Sequence, residues 1–257
     1  MRPISNQRYN AEIISSTGTF AGLVGGADLT RPVPTCPDWT LRQLTTHLGR
    51  AQRWAAEIVA TRSATAIPFR EVPDGRLPDD PAQHAQWLRA GSERLTAALT
   101  GAGSDPVWTF TGTTGPASLW ARRMAHETAV HRADAELTAG REPVFEPDLA
   151  ADAIDEWLSL CGPAPGAEDP RLGALPEGAV LHIHATDDGL GNGEWLIRRE
   201  GSRIAVEHGH GKGEVAVRGP AGRLLLTLVR RVPPDDSEIQ VLGDSALLTA
   251  WLAATPF

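Results

Sequence analysis

His126-Glu-Thr-Ala-Val-His-Arg-Ala-Asp134 lies within a longer run, from about Ala117 to Gly140, in which Ala, Leu, Arg and Trp recur with helical spacing. Glu127 and His131 are four residues apart. On a helix both project from one face, about one turn apart. That spacing lets a carboxylate and an imidazole grip one cation, and it is also the spacing of a plain surface contact on an exposed helix. Asp134, three residues after His131, is placed to hold an imidazole N–H and so orient the ring.

Upstream, Thr40-Leu-Arg-Gln43 is a capping-box pattern, and it follows Pro37, which cannot sit in a helix interior. In the helix it opens, Leu44, His47, Leu48, Ala51, Trp54 and Ile58 fall on one face. A histidine on that inward face needs a partner, because an unpaired buried polar group costs about 1–3 kcal/mol. His47, Glu127 and His131 together make a three-ligand set with a vacant position, the feature that separates a catalytic zinc site from a closed structural one. Further helices are expected from Asn6 to Gly25, with Gly25-Gly26 as C-cap, from Pro81 to Leu99, and from Leu149 to Leu160. Long helices joined by extended loops predict a bundle.

Composition changes near residue 165. Beyond it short Val/Ile/Leu runs alternate with Gly-rich turns. Strands are expected at Ala179–Ala185, Glu194–Arg198, Arg203–Glu207, Glu214–Arg218 and Glu238–Leu242, with Glu200-Gly201 as a hairpin signal. Helices are expected at Ala221–Val229 and Ser245–Ala253. This reads as a small α+β domain. The Pro/Gly content of Cys161 to Pro170 marks a linker, so the expected domains are residues 1–162 and 172–257.

The chain as a whole excludes several classes. Its 257 residues, 41% of them hydrophobic, suffice for one large core or two ordinary ones. The net charge of -8 and the absence of a basic block argue against a nucleic-acid partner. Lysine occurs once, at Lys212, a codon-usage signature of a high-GC genome. Two cysteines, Cys36 and Cys161, are too few and too far apart for a secreted disulfide framework. Met1 to Asn10 lacks an apolar segment, and no stretch approaches the ~18 uncharged apolar residues that span a bilayer. The expectation is a cytoplasmic protein, monomer or homodimer, without a membrane partner.

Val33-Pro-Thr-Cys-Pro-Asp-Trp-Thr-Leu-Arg-Gln-Leu-Thr-Thr-His-Leu-Gly49 resembles the Pro-x-x-Pro-x-Trp…His-Leu-Gly segment of the mycothiol-dependent maleylpyruvate isomerase family, within the DinB-like metalloenzymes. Trp120 to Asp134 resembles that family's second block, Arg-x-x-x-His-Glu-x-x-x-His-Arg-x-Asp. The second half is similar, more loosely, to the accompanying C-terminal domain with its sterol-carrier-like fold. The resemblance implies a four-helix bundle binding a divalent metal, zinc first, through His47, Glu127 and His131. It also implies mycothiol, a low-molecular-weight thiol, as co-substrate, and a small electrophilic second substrate. The mechanism expected is attack of a metal-bound thiolate on that electrophile, with isomerisation or S-transfer as the outcome. Family members place an arginine from the C-terminal domain, in a Gly-Arg pair after a helix, at the active site. Here Arg230-Arg231 follows Leu224–Val229, so the glycine is replaced, and Arg231 is the candidate for pairing a substrate carboxylate.

Other residues invite weaker readings. Cys36 precedes a helix N-terminus, which would lower a thiol pKa, but no base lies near it in sequence. His182 and His184 alternate on one strand face, and His208 and His210 flank Gly209. A second metal site is conceivable there, but strand and turn histidines are ordinarily unliganded and no Cys/His spacing supports zinc. Gly209–Gly213 lacks the pattern of a phosphate loop and reads as a mobile turn. Asp187-Asp188-Gly189 and Gly191-Asn192-Gly193 read as turns. Trp39, Trp54 and Trp120 are expected near the site. Two rival functions remain: a non-catalytic metal or small-ligand binding protein, favoured by a sealed site, and a metal-dependent hydrolase, which needs a base near the metal.

Overall fold

Ser5 accepts a hydrogen bond from the Arg8 backbone N–H (3.2 Å) and starts the first helix, α1, Asn6–Val24, which ends at Gly25. The protein is described here by a computed structural model covering residues 4–163 and 167–255. Residues 164–166 of the expected linker lie outside the described residues. The chain divides into two compact units between Pro143 and Val144.

In the first unit, α2 spans Leu41–Ala60 and opens with the expected capping box: the Thr40 backbone N–H donates to Gln43 Oε1 (2.8 Å), and the Gln43 N–H donates to Thr40 Oγ1 (3.4 Å). A 3₁₀ turn at Pro81–Gln83, capped by Asp80, leads into α3, His84–Ala102. The fourth helix, α4, spans Ser118–Thr138. Helix α1 packs on α3 and α4, and α2 packs on the same two. Ile13, Phe20, Leu44, Leu48, Leu88 and Leu95 are fully buried between them, each worth roughly 1.5–3 kcal/mol of burial. Close approach of α2 to α3 depends on Gly49. A Cβ built there would stand 2.1 Å from a ring carbon of Trp87.

Two short ribbons were not expected. Strands β1 (Pro32–Val33) and β2 (Cys36–Thr40) pair antiparallel, as do β3 (Pro106–Trp108) and β4 (Thr114–Pro116). Proline removes a ladder donor, and segments this short show no alternation, so neither announces itself in the sequence.

The second unit begins with α5, Pro147–Leu160, and a four-residue helix, α6, Arg171–Ala174. A five-stranded sheet follows, from β5 (Val180–Ala185), β6 (Glu194–Glu200), β7 (Arg203–His208), β8 (Val215–Gly219) and β9 (Gln240–Gly243). Its order is β7-β6-β5-β8-β9, with β5 and β8 parallel and the other neighbours antiparallel. Helices α7 (Ala221–Leu228) and α8 (Ser245–Ala254) complete it. The β6–β7 hairpin turns at Gly201, whose φ of 62° favours glycine. Leu181, Ile183, Trp195, Ile197, Val215 and Val217 form the buried face of the sheet.

The fold class is the expected one, a helical bundle followed by a small α+β domain. The boundary differs from the one read at 162/172. Helix α5 packs against α7, burying Leu149, Ile154 and Leu158, and the Trp195 indole donates to Asp155. The composition shift marks where helices give way to strands, and the apolar face of α5 belongs with the sheet that comes later. No described helix is long and apolar enough to cross a membrane.

Candidate metal centre

Helix α4 is unusual in its polar burial. His126, His131, Arg132, Asp134 and Glu136 are all buried in it, where an ordinary amphipathic helix would turn such residues to water. Charged groups of the helix pair along it. Arg132 donates to Glu136 (2.8 Å), and Arg123 forms an ion pair with Glu127, each at four-residue spacing.

The three residues singled out by sequence meet. Glu127 Oε1 lies 3.0 Å from His47 Nε2 and 3.3 Å from His131 Nε2. One donor atom from each residue falls within 4.8 Å of the other two. The two imidazoles stand edge to face, with centroids 5.0 Å apart. His131 Nδ1 lies 2.8 Å from Asp134 Oδ2, the orienting contact expected from their spacing. With Nδ1 donating to Asp134, His131 Nε2 is left facing Glu127 Oε1, to which it donates in the metal-free protein, and loss of that proton would free its lone pair for a cation.

Electrostatics sharpen this arrangement. Burial favours the neutral Glu127 carboxyl, but the Arg123 charge and hydrogen bonds from His131 and His47 outweigh it and hold the group well below the usual carboxylate range. Burial likewise works against charge on His131, but Asp134 and Glu127 raise that imidazole to about 9. Two imidazole nitrogens and an ionised carboxylate oxygen, with an orienting carboxylate behind one ring, are a donor set suited to zinc and to other borderline divalent metals. The residues fit such an ion.

Sequence reasoning gave no role to Thr35, Phe69 or Arg123 and read Cys36 only as a candidate nucleophile, while it expected Trp39, Trp54 and Trp120 near the site. The β1–β2 ribbon carries Thr35 and Cys36 to Asp134, with the Thr35 hydroxyl donating to Oδ1 (2.6 Å) and the Cys36 thiol 3.7 Å from Oδ2. It also brings Trp39 beside both histidines, 4.9 Å from the His47 ring and 6.1 Å from the His131 ring. Phe69 lies 6.0 Å from His47 and 5.5 Å from Trp54, and Trp54 in turn meets Trp120 at 5.1 Å. Of the three expected tryptophans, Trp39 therefore lies at the centre, and Trp54 and Trp120 lie behind Phe69. Only Arg123 left a signal, its four-residue spacing to Glu127.

Arg231 lies in the second unit, just past α7, and its guanidinium donates to the Val229 carbonyl (2.8 Å). The preceding Arg230 has a φ of 58°, in the left-handed region where glycine is favoured, and this is the position at which the sequence departs from a Gly-Arg pair. Among the described residues, His182, His184, Glu194 and His210 form a second group with metal-ligand geometry.

A helical bundle with an inward His/Glu/His set, followed by a mixed sheet with its own helices, defines a two-domain protein with a candidate metal centre in its bundle. The mycothiol maleylpyruvate isomerase N-terminal domain model matches residues 11–136, and the MDMPI C-terminal domain model matches residues 148–250. The chain belongs to the mycothiol maleylpyruvate isomerase family. The second match includes α5, in agreement with the division of the structure at Pro143/Val144. A crystal structure of the mycothiol-dependent maleylpyruvate isomerase is similar, at 16% identity over 93% of each chain with a TM-score of 0.59. A single-residue mutant of that enzyme is similar at 14% identity, with the same coverage and TM-score. At these identities the likeness is one of fold. No curated protein matches the chain.

Proposed function

We propose that this chain is a metal-dependent, mycothiol-using isomerase or S-transferase, with His47, Glu127 and His131 as the metal ligands. The observation that carries the reading is the convergence of His47 Nε2, His131 Nε2 and Glu127 Oε1, with Asp134 behind the His131 ring. A divalent cation, zinc first, would supply positive charge that lowers a thiol's pKa and so favours the thiolate, the nucleophilic form. Arg123 keeps the Glu127 carboxylate ionised. Asp134 keeps the His131 proton on Nδ1 and the Nε2 lone pair inward. Trp39 and Phe69 wall the centre and limit water there, and the His47 side chain remains 28% exposed. A centre open to that degree favours catalysis over the rival reading of a sealed binding site.

The reaction then follows from thiolate chemistry. In an isomerisation the sulfur adds to one carbon of an electron-poor double bond and the electron pair moves to the activating carbonyl. Rotation about the resulting single bond and expulsion of the thiolate give the other geometry. In a transfer the adduct takes up a proton and leaves as product. Arg231 is proposed to pair a carboxylate of the electrophile, through its planar, permanently charged guanidinium.

The experiment is metal analysis of purified wild type and His131→Ala, followed by turnover of maleylpyruvate with and without mycothiol. Thiol-dependent turnover that disappears with the metal supports the proposal. Metal content unchanged by His131→Ala overturns the ligand assignment, and hydrolytic turnover indifferent to thiol transfers the site to the hydrolase reading.

A further inference from the structure

We propose a second divalent-metal site in the C-terminal unit, formed by His182, His184 and His210 with Glu194. It is independent of the bundle centre in residues, domain and test.

The site follows from sheet register. On β5, Leu181, Ile183 and Ala185 point into the core, so His182 and His184 point to the opposite face. Glu194 on β6 is the direct cross-strand partner of His184 and therefore shares that face. The fourth residue arrives from the Gly-rich stretch after β7. Gly211 lies against Leu196, which pairs with His182, and a Cβ on Gly211 would meet Leu196 Cδ1 at 2.8 Å. A side chain there would push the end of the Leu196 side chain aside, so glycine favours this close approach of the segment to the sheet, and the approach sets His210 near the two strand histidines.

The four side chains converge on one oxygen. Glu194 Oε2 lies 2.8 Å from His182 Nε2, 2.8 Å from His210 Nδ1 and 3.8 Å from His184 Nδ1. All four donor atoms fall within 4.8 Å of one another. Zinc–ligand bonds of about 2.0–2.2 Å place tetrahedral donors roughly 3.3–3.6 Å apart, a spacing these distances straddle. The His182 ring meets the His210 ring edge to face at 5.5 Å, so their lone pairs approach one point from different directions. His182 is buried and His210 exposed, at 6% and 77% of their side chains, and a pocket of about 410 Å³ opens beside His184, Glu194 and His210. An ion thus has both a floor and an entry path. Three imidazole nitrogens and one carboxylate oxygen suit zinc, nickel or copper rather than magnesium or calcium. Four protein donors complete a tetrahedral shell, so the ion would tie β5, β6 and the Gly209–Gly213 segment together.

The test uses the untagged full-length chain, stripped with chelator, dialysed against zinc and analysed for metal per chain. The variants are His210→Ala, whose side chain is mostly exposed and whose loss leaves the strands intact, Glu194→Gln and His131→Ala. The expected result is two zinc ions in wild type and one in each variant. His131→Ala keeps the sheet-face ion, and His210→Ala keeps the bundle ion. Glu194→Gln, which preserves size, is expected to weaken the sheet-face site at least tenfold in zinc titration. If His210→Ala and Glu194→Gln both retain the wild-type metal content and zinc affinity, the proposal fails. If His131→Ala leaves no metal at all, it also fails, because the sheet face then holds none by itself. A failure of the bundle centre alone reads differently: His131→Ala would match wild type while His210→Ala loses an ion.

Discussion

Asp134 Oδ2 stands 2.8 Å from His131 Nδ1, and Asp134 itself is fully buried. Shielded from solvent, the carboxylate is held by protein groups that include His131, Thr35 and Cys36. Replacing Asp134 with Asn keeps the size and loses the charge. Metal affinity is expected to fall about 10–100-fold, as for orienting partners behind other metal-bound imidazoles. Competition against a chromophoric chelator measures it, and an unchanged dissociation constant would remove Asp134 from the centre.

Metal ligands must be deprotonated to bind, which gives the centre a pH dependence of known sign. In the metal-free protein His131 is raised from 6.5 to about 9. A raised imidazole stabilises the fold fully below pH 6.5, and that contribution is lost as pH rises through 9. The chelator-treated protein is therefore expected to melt at lower temperature as pH rises across this window. The metal-loaded protein gains affinity over the same range, because fewer protons compete for Nε2. The gap between the two melting curves should widen with pH, and a gap that narrows would contradict the assignment of His131 as ligand.

Gly49 offers a test of packing alone. The Trp87 ring that fills the space beside it cannot easily retreat: its indole donates to the Asp74 carbonyl (2.9 Å), and the Arg53 guanidinium lies 4.2 Å from its ring centroid. Gly49→Ala is expected to destabilise the protein by about 1–3 kcal/mol, the range for overpacking a well-filled interior. Urea denaturation gives the figure. A neutral result would mean that α2 and α3 separate more readily than their contact suggests.

Arg231 is separable from the metal ligands by kinetics. Arg231→Ala is expected to leave metal content unchanged and to lower kcat/KM for a carboxylate-bearing substrate by roughly ten- to hundredfold, the worth of a hydrogen bond to a charged group. Equal losses for a neutral electrophile would mean that Arg231 does not recognise a carboxylate.

Much of this was readable from residue spacing. The i, i+4 relation of Glu127 and His131, together with His47 on an inward face, yields the donor set, because helical periodicity fixes which side chains share a side. Capping at Thr40, the C-cap at Gly25 and the hairpin at Gly201 follow from local backbone chemistry in the same way. What depends on tertiary pairing was hidden. Thr35 and Cys36 reach Asp134 on a ribbon of two short strands interrupted by prolines, which has no periodicity to read, whereas Trp39 on the same ribbon was expected near the site. The alternation of His182 and His184 is plain in sequence. Their common neighbour Glu194 needs the β5–β6 register, and His210 needs a loop folded back over the sheet. Arg123 was visible only as a helical pair, indistinguishable in sequence from a surface contact.

Helix α5 lies before the Pro/Gly-rich segment in the chain but packs against α7, which comes after it. A protein severed at that segment would therefore be cut through a domain and not between two. The upstream piece would carry a helix with Leu149, Ile154 and Leu158 stripped of their cover, prone to self-association. The downstream piece would have a sheet missing part of its roof, with the Trp195 indole deprived of Asp155. Module exchange among relatives of this chain should keep both halves soluble only when the crossover falls near Pro143 and Val144, so that the helix travels with the strands it shelters.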